Sequence, residues 1–143
     1  MFRCAQCGAF NRVGQSPAGG GAPVCGRCKQ PLDTSGAPQP VGGEGLARAV
    51  ASSPVPVLVD FWAAWCAPCR AAAPVFEQLG RKNAGRLVVL KLDTDAAPEA
   101  SAAHRIQGIP TFILFSGGRE VARQSGAMPL AAMEAWLAQA SAR

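Results

Sequence analysis

Residues Val59 to Pro74 read VDFWAAWCAPCRAAAP, an apolar run that meets two cysteines, Cys66 and Cys69, where strand character gives way to helix character. The strand side, PVLVDFW, is dominated by β-branched and aromatic residues and is apolar on both faces, as in a central strand covered from both sides. The helix side extends from about Ala67 to Lys82, with Val75, Phe76 and Leu79 on one side. Pro74 lies inside it, where a proline removes a hydrogen bond and is expected to kink the helix.

Outward from this junction the pattern alternates. GLARAVASS reads as a short helix ending before Pro54, RLVVLKLD as a second strand, and Glu99 to His104 as another short helix. TFILFSGGREVARQSG reads as a hairpin with Gly117 and Gly118 in its turn. Leu130, Met133, Trp136 and Leu137 recur at amphipathic spacing in a last helix ending near Ala140. Helix, strand, helix, strand, helix, strand, strand, helix predicts an α/β fold with a mixed sheet and helices on both faces.

The chain of 143 residues fits one domain, or a domain of roughly 100 residues with a small appendage. With 49% hydrophobic residues the larger part can bury a core. No apolar run approaches the roughly 20 residues that span a bilayer. The N-terminus, MFRCAQCGAF, lacks the apolar segment and cleavage site of a secretory signal, so the expected setting is soluble, without a membrane, and cytoplasmic. In a reducing compartment paired cysteines are more often metal ligands or redox catalysts than structural disulfides.

Two Gly/Pro-rich stretches organise the chain: GQSPAGGGAP (Gly14 to Pro23), a loop between two cysteine pairs, and DTSGAPQPVGGEG (Asp33 to Gly45), a linker. The expected division is a cysteine-bearing head at 1–32, a linker at 33–45 in which Ala37 to Val41 can add an edge strand, and the main domain at 46–143. The head carries Arg3, Arg12, Arg27 and Lys29 and no acid, whereas the remainder balances ten Lys or Arg against nine Asp or Glu. Four cations are few for nucleic-acid binding, and four thiolates on one divalent metal would add two negative charges beside them.

Cys4 and Cys7, and Cys25 and Cys28, repeat the spacing of the central pair, with seventeen residues between the two outer pairs. Two such knuckles brought together supply four thiolates in a tetrahedron, which suits one structural zinc ion per chain. Thiolates also bind iron, but the ribbon-like spacing and the small residues Gly8 and Gly26 favour zinc. Two disulfides or free thiols are the alternative. A cytoplasmic segment of about 30 residues with few large apolar side chains cannot bury a core, so a metal is the better source of its order.

The central pair has a different setting. A thiol attacks a disulfide as thiolate, and the N–H groups at a helix start favour thiolate, so Cys66 is expected to be the more acidic and exposed sulfur. Cys69, one turn on, can attack a mixed disulfide formed by Cys66. Pro68 suits the first turn and stiffens the loop. As a metal half-site the pair would need two more ligands, and the only histidine, His104, supplies at most one. His104 is expected on a solvated helix face without a role.

VDFWAAWCAPC, followed in order by RAAAP, KLDTD and RIQGIPTFILFSGG, resembles the thioredoxin family over roughly Gly36 to Ala142. The resemblance implies the thioredoxin fold, with Cys66 as nucleophile and Cys69 as resolving cysteine. It implies that Pro110 is a cis proline beside them, that the backbone of Ile109 pairs with an extended substrate, and that Gly126 helps form a flat docking rim. Trp62 and Trp65 would flank the dithiol, ordinary core being their alternative. Where the family most often has CGPC this chain has Ala67, which leaves the redox potential open. The four-cysteine extension is similar to that of the bacterial zinc-containing thioredoxins. By resemblance the chain would be a monomeric reductase of protein disulfides, recycled by NADPH-dependent thioredoxin reductase and holding no NADPH or flavin itself.

Asp60 stands among Leu58, Val59, Phe61 and Trp62, which predicts burial and a raised pKa. The resemblance implies that it lies behind the dithiol near Lys91 and moves protons for the resolving cysteine. Two rivals remain: a zinc ribbon that tethers the chain to a partner with the larger domain as passenger, and a disulfide oxidase or isomerase of the same fold.

Overall fold

In the computed structural model, which describes residues 1–13 and 23–141, the head holds two short strands, β1 (Phe2–Arg3) and β2 (Phe10–Asn11). The main domain follows as β3 (Gln39–Pro40), α1 (Gly43–Ser52), β4 (Val57–Trp62), α2 (Ala67–Lys82), β5 (Val88–Asp93), α3 (Pro98–Ala103), β6 (Thr111–Ser116), β7 (Arg119–Ser125) and α4 (Leu130–Ser141). Of the loop expected at Gly14 to Pro23, all but Pro23 lies outside the described residues.

The sheet order is β3-β5-β4-β6-β7, with β3, β5 and β4 parallel and β6 and β7 antiparallel, so the expected mixed sheet is the one observed. β4 lies in its middle and is buried from Val57 to Phe61. Side chains alternate across a strand, so β4 feeds two cores. Val57, Val59 and Phe61 face α1 and α3 with Leu90, Leu92, Ile113 and Phe115. Leu58 faces α2 and α4 with Phe76, Leu79, Phe112 and Met133. Phe112 meets Phe76 and Trp136 edge-on, with ring centroids 5.5 and 5.0 Å away. Truncating so well packed a ring costs about 3–5 kcal/mol.

Two glycine pairs set local geometry. Gly117 and Gly118 both take positive φ, 63° and 84°, which is what a two-residue turn matched to the strand twist requires. Gly36 and Gly80 approach so closely that a Cβ on either would collide with the other's carbonyl oxygen, which fits residues 33–38 against α2. Pro74 lies inside α2 as expected.

Candidate active site

Cys66 is the N-cap residue of α2, in extended backbone, and its sulfur accepts the backbone N–H of Cys69 at 3.2 Å. Pro68 occupies the first turn, where its missing N–H leaves no bond unmade. The Cα atoms of Cys66 and Cys69 are 5.2 Å apart and their sulfurs are joined in a disulfide. Residues one turn apart on a helix meet in this way because both side chains leave the same face. A helix start with free N–H groups favours negative charge on the sulfur it faces.

Both cysteines are largely buried, 4% exposed for Cys66 and 2% for Cys69, whereas the sequence pointed to an exposed Cys66. The cover comes from the segment ahead of β6: Ile109 packs on the pair, and its carbonyl oxygen lies 3.7 Å from the Cys66 sulfur. Exposure belongs instead to Trp65, at 68%, and to Ala67 and Pro68. With Ile106 and Ile109 these line a shallow groove that reaches Cys66. The Ile109–Pro110 peptide is cis, and the Pro110 carbonyl accepts the backbone N–H of Gly126, a glycine with open space where a Cβ would stand, at 2.8 Å.

The two tryptophans differ. Trp62 is half-buried and packs on Ala63, Cys66 and Cys69, with the Lys91 ammonium 5.8 Å from its ring centre. Trp65 is held outward by its indole N–H, which donates to the Asp95 carboxylate at 2.9 Å. The loop between them is pinned further. Thr94 donates both its backbone N–H and its hydroxyl to the Trp62 carbonyl at 2.8 and 3.1 Å, and Arg70 donates to the Ala64 carbonyl at 2.7 Å. Thr94, Asp95 and Arg70 escaped the sequence reading. The signal available was Asp-Thr-Asp directly after a strand: Asp93 caps its own turn by accepting the Asp95 N–H at 2.9 Å, which aims Asp95 at the loop.

Asp60 lies on the α2 face of β4, in register with Lys91 of β5 and Phe112 of β6. It is 5% exposed, and its Oδ1 has no hydrogen-bond partner among the described residues. Burial disfavours the carboxylate and pushes its pKa up to about 7, against the opposing pull of the Lys91 charge. His104 departs from expectation. It is half-buried between Phe61 and Phe115, with ring centroids 5.7 and 5.6 Å away, because α3 packs on the sheet face that carries both rings and ends between them. Burial lowers its pKa, Glu120 opposing and Arg123 assisting.

In the head, the sulfurs of Cys4, Cys7, Cys25 and Cys28 all lie within 4.8 Å of one another. The Cys4–Cys28 and Cys7–Cys25 pairs are 3.6 Å apart, too far for a disulfide. Four sulfurs each about 2.3 Å from a central zinc stand roughly 3.8 Å apart, so the observed set has the size of such a tetrahedron. Each knuckle is closed by a backbone bond from the fifth residue to the first, Gly8 to Cys4 at 2.8 Å and Lys29 to Cys25 at 2.9 Å. Backbone N–H groups of Cys28 and Arg27 and the amide of Asn11 favour the thiolate of Cys25 despite burial. These four cysteines can hold a metal ion.

The thioredoxin family model matches residues 40–139. The chain belongs to the thioredoxin family. Thioredoxin C-3 of Corynebacterium nephridii is 40% identical over 139 residues, covering 95% of this chain and 92% of its own, so the match reaches into the cysteine-bearing head. A bifunctional thioredoxin reductase/thioredoxin of Mycobacterium leprae is 49% identical over 84 residues, 59% of this chain and 18% of that protein. The crystal structure of chloroplastic thioredoxin z superposes with a TM-score of 0.68 at 34% identity, covering 75% of this chain and 96% of that one. As in its thioredoxin relatives, the Cys66–Cys69 disulfide is a redox-active pair and the fold is the thioredoxin fold. No described helix is long and apolar enough to cross a membrane.

Proposed function

We propose that this thioredoxin reduces disulfides in other proteins, with Cys66 as nucleophile and Cys69 as resolving thiol. The Cys66 thiolate attacks one sulfur of a substrate disulfide, forming a mixed disulfide and releasing the first substrate thiolate. Cys69 then attacks the Cys66 sulfur and releases the second, leaving the intramolecular disulfide; two electrons and two protons have passed to the substrate. With a pKa of about 7, Asp60 is part carboxylate near neutrality; in that form it takes the proton that Cys69 must lose, and the Lys91 charge favours the carboxylate. The substrate lies along the groove in extended form against the Ile109 backbone beside Pro110, on a rim of Trp62, Trp65, Ala67, Pro68 and Gly126. The observation that carries this reading is the sulfur of Cys66 at the α2 N-terminus, receiving the Cys69 N–H at the end of an open groove.

An NADPH-dependent thioredoxin reductase returns the disulfide to the dithiol, a pairing supported by the relative that carries both activities in its name. The four outer cysteines hold one structural zinc ion; thiolate donors at tetrahedral separation support that choice. The metal serves folding of the head and takes no part in electron transfer. Residues 1–32 form this zinc module, 33–45 the connection, which itself supplies β3 and the first residues of α1 to the fold, and 46–143 the rest of the redox domain, acting as a monomer in a reducing cytoplasm, where free thiols and a reductant dithiol both persist. The test is insulin reduction driven by NADPH and thioredoxin reductase, with zinc quantified on the same sample. Turnover with one zinc per chain is expected. No turnover overturns the reductase reading, and substoichiometric metal overturns the zinc assignment.

A further inference from the structure

The head is fastened to the redox domain, at the edge strand β3, the turn before β5 and the adjoining core, by four contacts that its cysteines do not make. The Met1 ammonium donates to the Gly85 carbonyl at 2.9 Å. The Phe2 ring covers Gly85, 3.2 Å from where a Cβ would stand. Arg3 and Gln39 grip each other in both directions: the guanidinium donates to the Gln39 side-chain oxygen at 2.8 Å, and the Gln39 amide donates to the Arg3 carbonyl at 2.9 Å. Phe10 packs against the core that contains Leu46 and Leu90.

Gln39 belongs to β3, which is two residues long and pairs with β5 alone. A strand so short has little pairing of its own, so its hold on the sheet depends on what grips it from outside. Arg3 and Phe10 pair with each other across the β1–β2 ribbon, which presents both anchors at once. Arg3 is followed directly by Cys4, whose N–H closes its knuckle on the Ala9 carbonyl at 2.8 Å. Both anchors therefore take their places from the cysteine cluster. The head has a small apolar cluster, Cys4, Cys25 and Leu32 with a few half-buried neighbours, too little to order a ribbon by burial alone.

We propose that the head is a metal-fastened clamp on the edge strand: with the ion held, the β1–β2 ribbon is rigid and Arg3 locks β3 to β5, and without it the ribbon loosens and this edge frays. The inference rests on the metal reading of the four cysteines and goes beyond it by making the order of the redox domain's edge answer to metal occupancy. The fraying would begin at the Val41 amide, which donates to the Lys91 carbonyl at 2.9 Å, and would leave the β6–β7 hairpin at the opposite edge untouched.

Amide hydrogen exchange on the full chain tests this, comparing the zinc-loaded protein with the same sample stripped by chelator. Stripping should speed exchange at Val41 by about tenfold, the scale of one net hydrogen-bond contribution, while β6 and β7 amides keep their rates. Gln39→Ala should speed Val41 in the zinc-loaded protein to a similar degree, and stripping that variant should then add little, because one link has been cut twice. Zinc bound in stoichiometric amount with Val41 unchanged on stripping overturns the clamp and leaves the metal reading standing. Failure to bind zinc overturns both. Additive effects of stripping and Gln39→Ala, or loss of protection throughout β4 and β6, also overturn it, since each means that Gln39 is not the link.

Discussion

At Cys66 a sulfur faces the start of a 16-residue helix and reaches one other sulfur, to which it is bonded. At Cys25 a sulfur closes a knuckle of a few residues and stands within 4.8 Å of three others, bonded to none. The spacing in sequence is the same, two residues between cysteines. What differs is the number of sulfurs brought together and the backbone that brings them. Two sulfurs on one helical turn can exchange electrons by making and breaking a single bond, and a groove lets a foreign disulfide in. Four sulfurs at tetrahedral separation satisfy a divalent ion, and joining any two of them in a disulfide would cost that ligation.

The comparison breaks first at the nucleophile. Cys66→Ser should lower insulin reduction on the order of 10^3-fold or more and trap no substrate, whereas Cys69→Ser should accumulate mixed disulfides visible on a non-reducing gel. Equal trapping by both would reverse or erase the assignment. The second contrast concerns the metal. Changing Cys4 and Cys7 together to Ser should remove bound zinc, while changing Cys66 and Cys69 together should retain it, as metal analysis of the purified variants will read. Zinc lost from the second variant, or kept by the first, would mean that the two kinds of pair are not separate sites.

Asp60 sharpens the contrast, because a buried acid lies in β4, the strand that leads to the central pair. Its folded pKa, about 7, lies above the unfolded value near 3.8. The folded chain therefore retains a proton that the unfolded chain releases, and stability is greatest below the unfolded value and falls as pH rises towards 7, by roughly 1 kcal/mol per pH unit from this group. Asp60→Asn should flatten that slope in denaturant melts between about pH 4 and 7 and be the more stable protein at pH 8. It should also slow the resolving step in single-turnover reduction by about tenfold or more. A variant as pH-dependent as the parent would show that Asp60 is solvated. The smallest effect is expected at Asp95→Ala, which frees the Trp65 indole. Loss of one exposed hydrogen bond should raise KM for a protein disulfide roughly threefold, with kcat little changed. A fall in kcat alone would place Asp95 in the chemistry rather than in holding the rim.

Much of the main domain could be read from local pattern. α2 runs from Ala67 to Lys82 as expected, and the hairpin turns at Gly117 and Gly118, because a strand-to-helix change and a Gly-Gly pair are decided by neighbours in sequence. The two-residue strands of the head were not legible, since so few residues show no alternation. Nor was the grip of Arg3 on Gln39, made across 36 positions by side chains of types that usually face water. The cysteines and Asp60 stood out because each is costly or unusual where it sits, and Pro110 because the resemblance to thioredoxins marked it. Thr94, Asp95 and Arg70 did not, because polar residues after a strand or on a helix are commonplace and only the folded loop gives them a common target.

The lone imidazole gives the molecule a built-in spectroscopic reporter. His104 lies between the rings of Phe61 and Phe115, so the magnetic fields of two aromatic rings act on its protons and should displace their resonances from the positions of a solvated histidine. Phe61 belongs to the strand that leads to the dithiol, and Phe115 to the strand that follows the cis Pro110. A single pair of imidazole proton signals, which no second histidine can be confused with, therefore reads how closely the end of α3 holds to that face of the two strands in both redox states, without any label being added.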